Sequence, residues 1–458
     1  MKHSVNSFAI GGAARRSALP AAILAGIALG GFGTVAVAAD DGSLTWNGIT
    51  LYGVVDIGIA YQSHGAPLSQ DFYTGLDYLV SKNGNKSITS FAPSGLSQSK
   101  IGLQGKEELV EGVNGIFNVE MGFNPTSGKL ADALGSLVHN NGVPLANQTT
   151  ASDGSRAGQL FNGVAYLGLQ SKDWGTITFG RNNTLLLDTI NKYDPMGGSY
   201  AFSVIGYSGL TAGGGNTENT RLDDSIKYTY KYDLFHAGLL YQFGKSDSSP
   251  GEAWQLNGGF DYAGFSVDAN YAHKKDAIAA SSLSAAQLAT GVPQDSLAAT
   301  ISDNTAWNLA ASYTTGPFKF SGGYEHIRFK NPSLPISSPF SGLGGYYFSI
   351  INNSAYTHPR VTQVSWLGAR YAFSPNWDIT GAWYHYDQNS YKGNGCHDTS
   401  AGSCSGSLDA YSVMTDYRFT KRLDVYAGAM YSRVADGLAS GYLHTNNFSP
   451  MVGVRFKF

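Results

Sequence analysis

The sequence predicts an all-β chain: a transmembrane, sixteen-stranded, antiparallel up-and-down β-barrel. Three observations lead there: the composition, a period of two in the apolar residues, and connectors that alternate between short and long. Of 458 residues, 58 are Gly, 28 Tyr and 23 Phe, and only 14% are charged. Gly is thus about twice as common as usual, which with so many aromatics works against long helices. An apolar content of 42% excludes a disordered chain. The net charge of -3 leaves no basic footprint for nucleic acid.

The N-terminus sets the compartment. Lys2, Arg15 and Arg16 precede the apolar run Leu19 to Gly33, and Val37-Ala38-Ala39 offers a small-residue cleavage point before Asp40. This reads as a secretory signal peptide over residues 1–39, removed to leave a single barrel domain over 40–458. A membrane anchor is the competing reading, but Pro20, Gly26, Gly30, Gly31 and Gly33 interrupt the run. No later stretch of about 18 apolar residues remains to span a bilayer as a helix. Export opens an oxidising compartment to Cys396 and Cys404, which can close a small disulfide loop in the Gly/Ser-rich segment 392–406. The other reading, a metal pair, lacks nearby partners beyond His397, and no metal is expected.

Period two justifies each strand. Phe458, Phe456, Val454 and Val452 alternate with Lys457, Arg455, Gly453 and Met451, giving one apolar and one polar face. Trp254, Leu256, Phe260 and Tyr262 alternate likewise with Gln255, Asn257, Gly259 and Asp261, as do Phe265, Val267, Ala269 and Tyr271 with Ser266, Asp268, Asn270 and Ala272. Leu51, Val55, Ile57 and Ile59 share a face opposite Thr50, Asp56 and Gly58. Sixteen such segments follow one another: 48–64, 96–108, 113–123, 157–170, 174–184, 221–232, 234–244, 253–262, 264–275, 304–315, 317–330, 361–373, 377–390, 408–419, 422–434 and 445–458. Short connectors such as Ser171-Lys172-Asp173 and Ser374-Pro375-Asn376 alternate with long ones at 65–95, 124–156, 185–220, 245–252, 276–303, 331–360, 391–407 and 435–444.

An even strand number with short periplasmic turns and long extracellular loops is the pattern of an outer-membrane barrel. A soluble sandwich has shorter strands and no reason to separate its connectors by length. Sixteen strands enclose a lumen too wide for side chains to fill, so the apolar face is expected to meet lipid and the polar face, with Asp56, to meet water. A closed barrel leaves no unpaired backbone group in hydrocarbon. Tyr61, Trp174, Tyr228, Trp254, Tyr262, Trp377 and Phe458, near strand ends, suit interfacial girdles.

The segments Gly48-Ile49-Thr50-Leu51-Tyr52-Gly53-Val54-Val55-Asp56, Ser99-Lys100-Ile101-Gly102-Leu103-Gln104-Gly105-Lys106-Glu107-Glu108 and Trp174-Gly175-Thr176-Ile177-Thr178-Phe179-Gly180-Arg181, with terminal Phe458, resemble the Gram-negative general porins. The resemblance extends over the whole mature chain and is weakest in the long loops. It implies a homotrimer in the outer membrane, in contact with lipid and lipopolysaccharide, with a constriction loop folded into the pore. It also implies that the barrel assembly machinery reads Phe458. The connector after Arg181 is then the constriction loop, with Asp194 and Asp188 on the acidic side and Lys100, Arg181 and Arg221 facing them. Two departures weaken the basic side: Gly163 stands where relatives carry a charge, and Val54 lies where a lysine is expected.

Opposite charges across a narrow aqueous gap order water and disfavour apolar solutes. The expected function is passive diffusion of small hydrophilic solutes and ions, with no cofactor. The alternatives are a substrate-specific channel or, in another class, a barrel-anchored surface enzyme or adhesin. Ten scattered histidines form no zinc-protease motif, and no Gly-x-Ser-x-Gly occurs, so no catalytic residue is assigned. Gly213-Gly214-Gly215 reads as a flexible loop rather than a phosphate cradle, and Ser284 to Thr290 as a short helix.

Overall fold

The computed structural model describes residues 44–72, 77–205, 221–244, 250–392, 396 and 400–458. The proposed signal peptide and Gly213-Gly214-Gly215 lie outside them. Twenty strands form one sheet: β1 (Leu44–Trp46), β2 (Ile49–Gly65), β3 (Lys86–Pro93), β4 (Lys100–Val110), β5 (Val113–Gly122), β6 (Ala165–Ser171), β7 (Gly175–Asn183), β8 (Arg221–Tyr232), β9 (Phe235–Gln242) and β10 (Ala253–Tyr262) come first. They are followed by β11 (Phe265–Ser281), β12 (Leu297–Thr315), β13 (Phe318–Lys330), β14 (Phe340–Gly342), β15 (Tyr346–Asn352), β16 (Arg360–Ser374), β17 (Trp377–Gln388), β18 (Gly406–Arg418), β19 (Leu423–Asp436) and β20 (Asn446–Lys457).

Each barrel strand pairs antiparallel with its neighbours, and β2 closes the ring by pairing with β20 from Val54↔Lys457 to Ala60↔Met451. The closed barrel has sixteen staves, the number the alternation predicts. Its second stave is broken. β4 pairs with the lower half of β2 and β3 with the upper half, and residues 94–99 turn inward between them. Asp56, buried on the inner face, organises the break: its carboxylate accepts the N–H groups of Gly95 (3.1 Å), Leu96 (2.8 Å) and Ser97 (2.9 Å) and the Tyr426 hydroxyl (2.6 Å).

Connectors separate by length as the sequence suggests. Ala263 (φ 48°) and Gly264 (φ 85°) make a tight turn with both residues left-handed, the geometry that matches hairpin twist. Among the described residues, three helices lie in long connectors: α1 (Ala133–His139), α2 (Leu185–Tyr193) and α3 (Ala285–Leu288). α3 falls in the segment expected to be helical, and Ser284 opens it with a capping box to Gln287. No helix among the described residues is long and apolar enough to cross a membrane.

The outer face carries the exposed apolar side chains, among them Val55, Leu103, Leu167, Phe179, Leu309, Leu367, Val413 and Phe456. The inner face departs from the simple expectation of a wet wall. Ala272, Ala306, Ala310, Val364, Trp366, Tyr384, Ala410 and Met430 point inward and are buried in one cluster with Leu186, Ile190, Tyr193, Met196, Phe202 and Val204 of the connector after β7. That part of the lumen is filled with protein because the connector lies against it. Cys396 and Cys404 are disulfide-bonded, with Cα atoms 5.4 Å apart.

Candidate pore constriction

The segment after Arg181 becomes helical through two caps. Thr184 Oγ1 accepts the Leu187 N–H (3.1 Å), and the buried wall residue Gln255 accepts the Leu185 N–H (2.9 Å). Together they satisfy donors that a helix leaves free at its start. Leu186 and Ile190 of α2 are buried against the wall, while Asp188 is half-exposed and ion-paired with Lys227. At its end Lys192 bridges Asp261 (3.1 Å) and Asp268 (2.9 Å), and the Tyr193 hydroxyl donates to Asp268 (2.5 Å).

Beyond α2 the chain follows the inside of the barrel. The Trp366 indole donates to the Tyr193 carbonyl (3.2 Å), and the Tyr386 hydroxyl to the Val204 carbonyl (3.0 Å). Pro195 rests on Gly368, where any Cβ would overlap the proline ring. The Ala201 N–H donates to the Gly95 carbonyl (2.8 Å) and the Tyr200 hydroxyl to Gln98 (2.8 Å), tying the segment to the break in the second stave.

Asp194 turns away from the water. Only 4% exposed, its carboxylate accepts the Tyr384 hydroxyl (2.6 Å) and the N–H groups of Met196 (3.2 Å) and Gly198 (2.7 Å). Burial pushes its carboxyl above the usual range, and the Tyr384 hydrogen bond opposes that shift. Its place is that of a loop-folding acid bonded to the far wall. Arg181 is likewise enclosed: its guanidinium donates to the carbonyls of Gly163 (2.7 Å), Ser155 (2.6 Å) and Asn162 (3.0 Å) and pairs with Asp223.

Lys100 and Arg221 do come together, with two residues the sequence reading missed. Glu120 accepts Lys100 (2.6 Å) and Arg156 (3.3 Å), and Arg221 lies close enough to act on its charge. Glu120 is legible as an inward position of β5, since it shares a face with Asn118 and Gly122. Arg156 was not, because it comes from an irregular loop without a period. It also brings a guanidinium to the region where Gly163 lacks a side chain; a Cβ on Gly163 would strike Glu120.

Between this group and α2 lies a cavity of about 400 Å³, lined by Tyr52, Lys100, Asn118, Glu120, Tyr166, Asn191 and Arg221 among others. A larger one of about 830 Å³ lies toward the short turns, with Lys106, Lys172, Asp188 and Lys231 in its lining. Three cations, Lys100, Arg156 and Arg221, thus surround one carboxylate, while the loop acids are paired or buried. Such an arrangement sets up a positive potential beside a narrow polar path.

A sequence model of the Gram-negative porin family matches residues 21–437. An outer membrane porin protein of Bordetella pertussis is 28% identical over 200 residues, covering 43% of this chain and 43% of that protein, so the match spans less than half of its length. Outer membrane porin protein 32 of Delftia acidovorans is 24% identical over 320 residues, 67% of this chain and 75% of that one. Among solved structures, an anion-selective porin from Comamonas acidovorans superposes with a TM-score of 0.60 at 16% identity, covering 90% of this chain and 99% of the other. With its sixteen-stranded barrel and a family match over most of its length, the chain belongs to the Gram-negative porin family of the outer membrane.

Proposed function

We propose that this chain forms a water-filled outer-membrane channel for passive diffusion of small hydrophilic solutes and ions, and that the channel prefers anions. The observation that carries the reading is the Lys100–Arg156–Arg221 group around Glu120, facing α2 across the smaller cavity. Charge of one sign along a narrow aqueous path raises the local concentration of counter-ions. Asp188 does not restore a balance, because Lys227 pairs with it, and Asp194 is enclosed. The anion-selective character of the Comamonas protein agrees with this sign. Homotrimers, as in the trimer form of a Vibrio cholerae outer-membrane protein of similar fold, complete the proposal.

Purified protein in a planar bilayer tests it. Stepwise conductance is expected, in groups of three for a trimer, and the reversal potential in a salt gradient should lie on the anion side. Silence in the bilayer would remove the channel, and a cation-side potential would remove the selectivity.

A further inference from the structure

Tyr52 lies along the inner wall of the constriction instead of projecting into it. It stands opposite Gly102 of β4, which in turn stands opposite Glu120 of β5. The ring crosses β4 over Gly102, where an added Cβ would come within 2.3 Å of the Tyr52 Cζ and 2.6 Å of its Cε1. The hydroxyl ends on β5, donating to Asn118 Oδ1 at 2.8 Å. β2 and β5 are two strand spacings apart, about 10 Å, a gap the side chain crosses only by lying on the wall. One ring face is therefore turned to β4 and the other to the cavity.

That cavity, about 400 Å³, is of a size that holds a small molecule. Its lining divides by chemistry. Tyr52, Val164, Tyr166 and, from α2, Leu187 give aromatic and apolar surface. Lys100 and Arg221 give charge, and Lys100 Nζ is 5.8 Å from the Tyr52 ring centre. Glu120 offsets only one of the three cations around it. A hydrated inorganic anion uses the charge and leaves the ring face and Leu187 without a partner. An uncharged apolar solute does the opposite and strips water from the cations at a cost. A flat ring bearing a carboxylate uses both halves.

We propose that the constriction favours aromatic carboxylates among the anions it passes, and that Tyr52 is the residue that discriminates. The solute ring stacks offset on the cavity face of Tyr52, a contact that a saturated ring of similar size does not gain. Its carboxylate meets the Lys100 ammonium and the Arg221 guanidinium in charge-assisted hydrogen bonds. This inference deepens the reading of the chain as an anion-preferring channel and rests on it.

Purified full-length protein in a planar bilayer tests the proposal, with benzoate and cyclohexanecarboxylate as probes of equal charge and similar size. The readout is the concentration of each that halves the chloride current, every variant being scaled to its own current. Wild type is expected to be blocked by benzoate at about three- to tenfold lower concentration, the range for one aromatic pair. Y52L should abolish that difference and Y52F should keep it, while K100Q should weaken block by both probes. Equal block by the two probes in wild type, or a benzoate preference that survives in Y52L, overturns the proposal; should Y52L fail to fold, Y52Q, which keeps a donor for Asn118, decides in its place. Silence in the bilayer or a cation-side reversal potential would remove the anion-channel reading and this inference with it, whereas anion-side conductance with equal block removes this inference alone.

Discussion

The acids of the constriction loop show that a residue's charge says little until its partners are known. Asp194 is held by three hydrogen bonds, one from Tyr384 on the opposite wall. Asp194→Asn is therefore expected to leave the reversal potential nearly unchanged and to lower stability by about 1.5–3 kcal/mol, the range for a hydrogen bond to a charged group; thermal unfolding in detergent measures it. Glu120→Gln should do the reverse for transport. It removes the one carboxylate among Lys100, Arg156 and Arg221, so the reversal potential should move further toward anions. A second acid acts through pH. Asp153, in the connector after β5, accepts the Ala280 N–H (2.7 Å), and burial pushes its carboxyl up to about 7. An unfolded aspartate ionises near 4, so between about pH 4 and 7 only the unfolded chain is ionised and stability falls as pH rises. Above 7 the loss is complete. Thermal unfolding of wild type and Asp153→Asn across this range should show a shallower slope in the variant.

At the scale of elements, the barrel wall and the constriction segment are fitted to each other by small residues. Gly368 admits Pro195, and Gly428 admits Phe202, whose ring would lie 2.8 Å from an added Cβ. Because the Pro195 contact is with a stiff ring and a backbone oxygen also lies close, Gly368→Ala cannot be absorbed by a rotamer change. The segment is expected to shift off β16 toward the aqueous path, lowering single-channel conductance as well as unfolding temperature. The sequence hides this fit. Gly368 reads there as a neutral inward position, and only Pro195, 173 residues earlier and folded back along the lumen, gives it meaning. α2 is equally hard to read from the sequence, because the helical spacing of Leu185, Leu186 and Ile190 lies inside a long connector. Its stability comes from the wall through Gln255 and the inward alanines of β11 and β12.

For the whole molecule, barrel closure depends on the last residue. The Gly53 N–H donates to the Phe458 carbonyl (2.9 Å) and the Phe458 N–H to the Gly53 carbonyl (3.1 Å), so the terminal residue completes the ladder between β20 and β2. Deleting Phe458 should reduce the amount of folded protein recovered from outer membranes, measured by heat-modifiable mobility, while the surviving fraction conducts as before.

The number of staves, most strand boundaries within a few residues, the separation of short from long connectors and the lipid-facing side chains were determined by the sequence itself. Each follows from a local period of two that a closed barrel preserves along its whole circumference. β6 starts eight residues later than the period suggests, and β11 and β12 run six and seven residues further toward their long connector. The broken second stave was only half legible, because Lys86–Pro93 pairs with β2 across an inward turn that Asp56 organises. Where the connector after β7 lies, which acids it buries, and that Arg156 joins Lys100 and Arg221 around Glu120 were decided by tertiary structure alone. Those neighbours are set by register and loop path, and no local pattern encodes which distant side chain will stand within 3 Å of another.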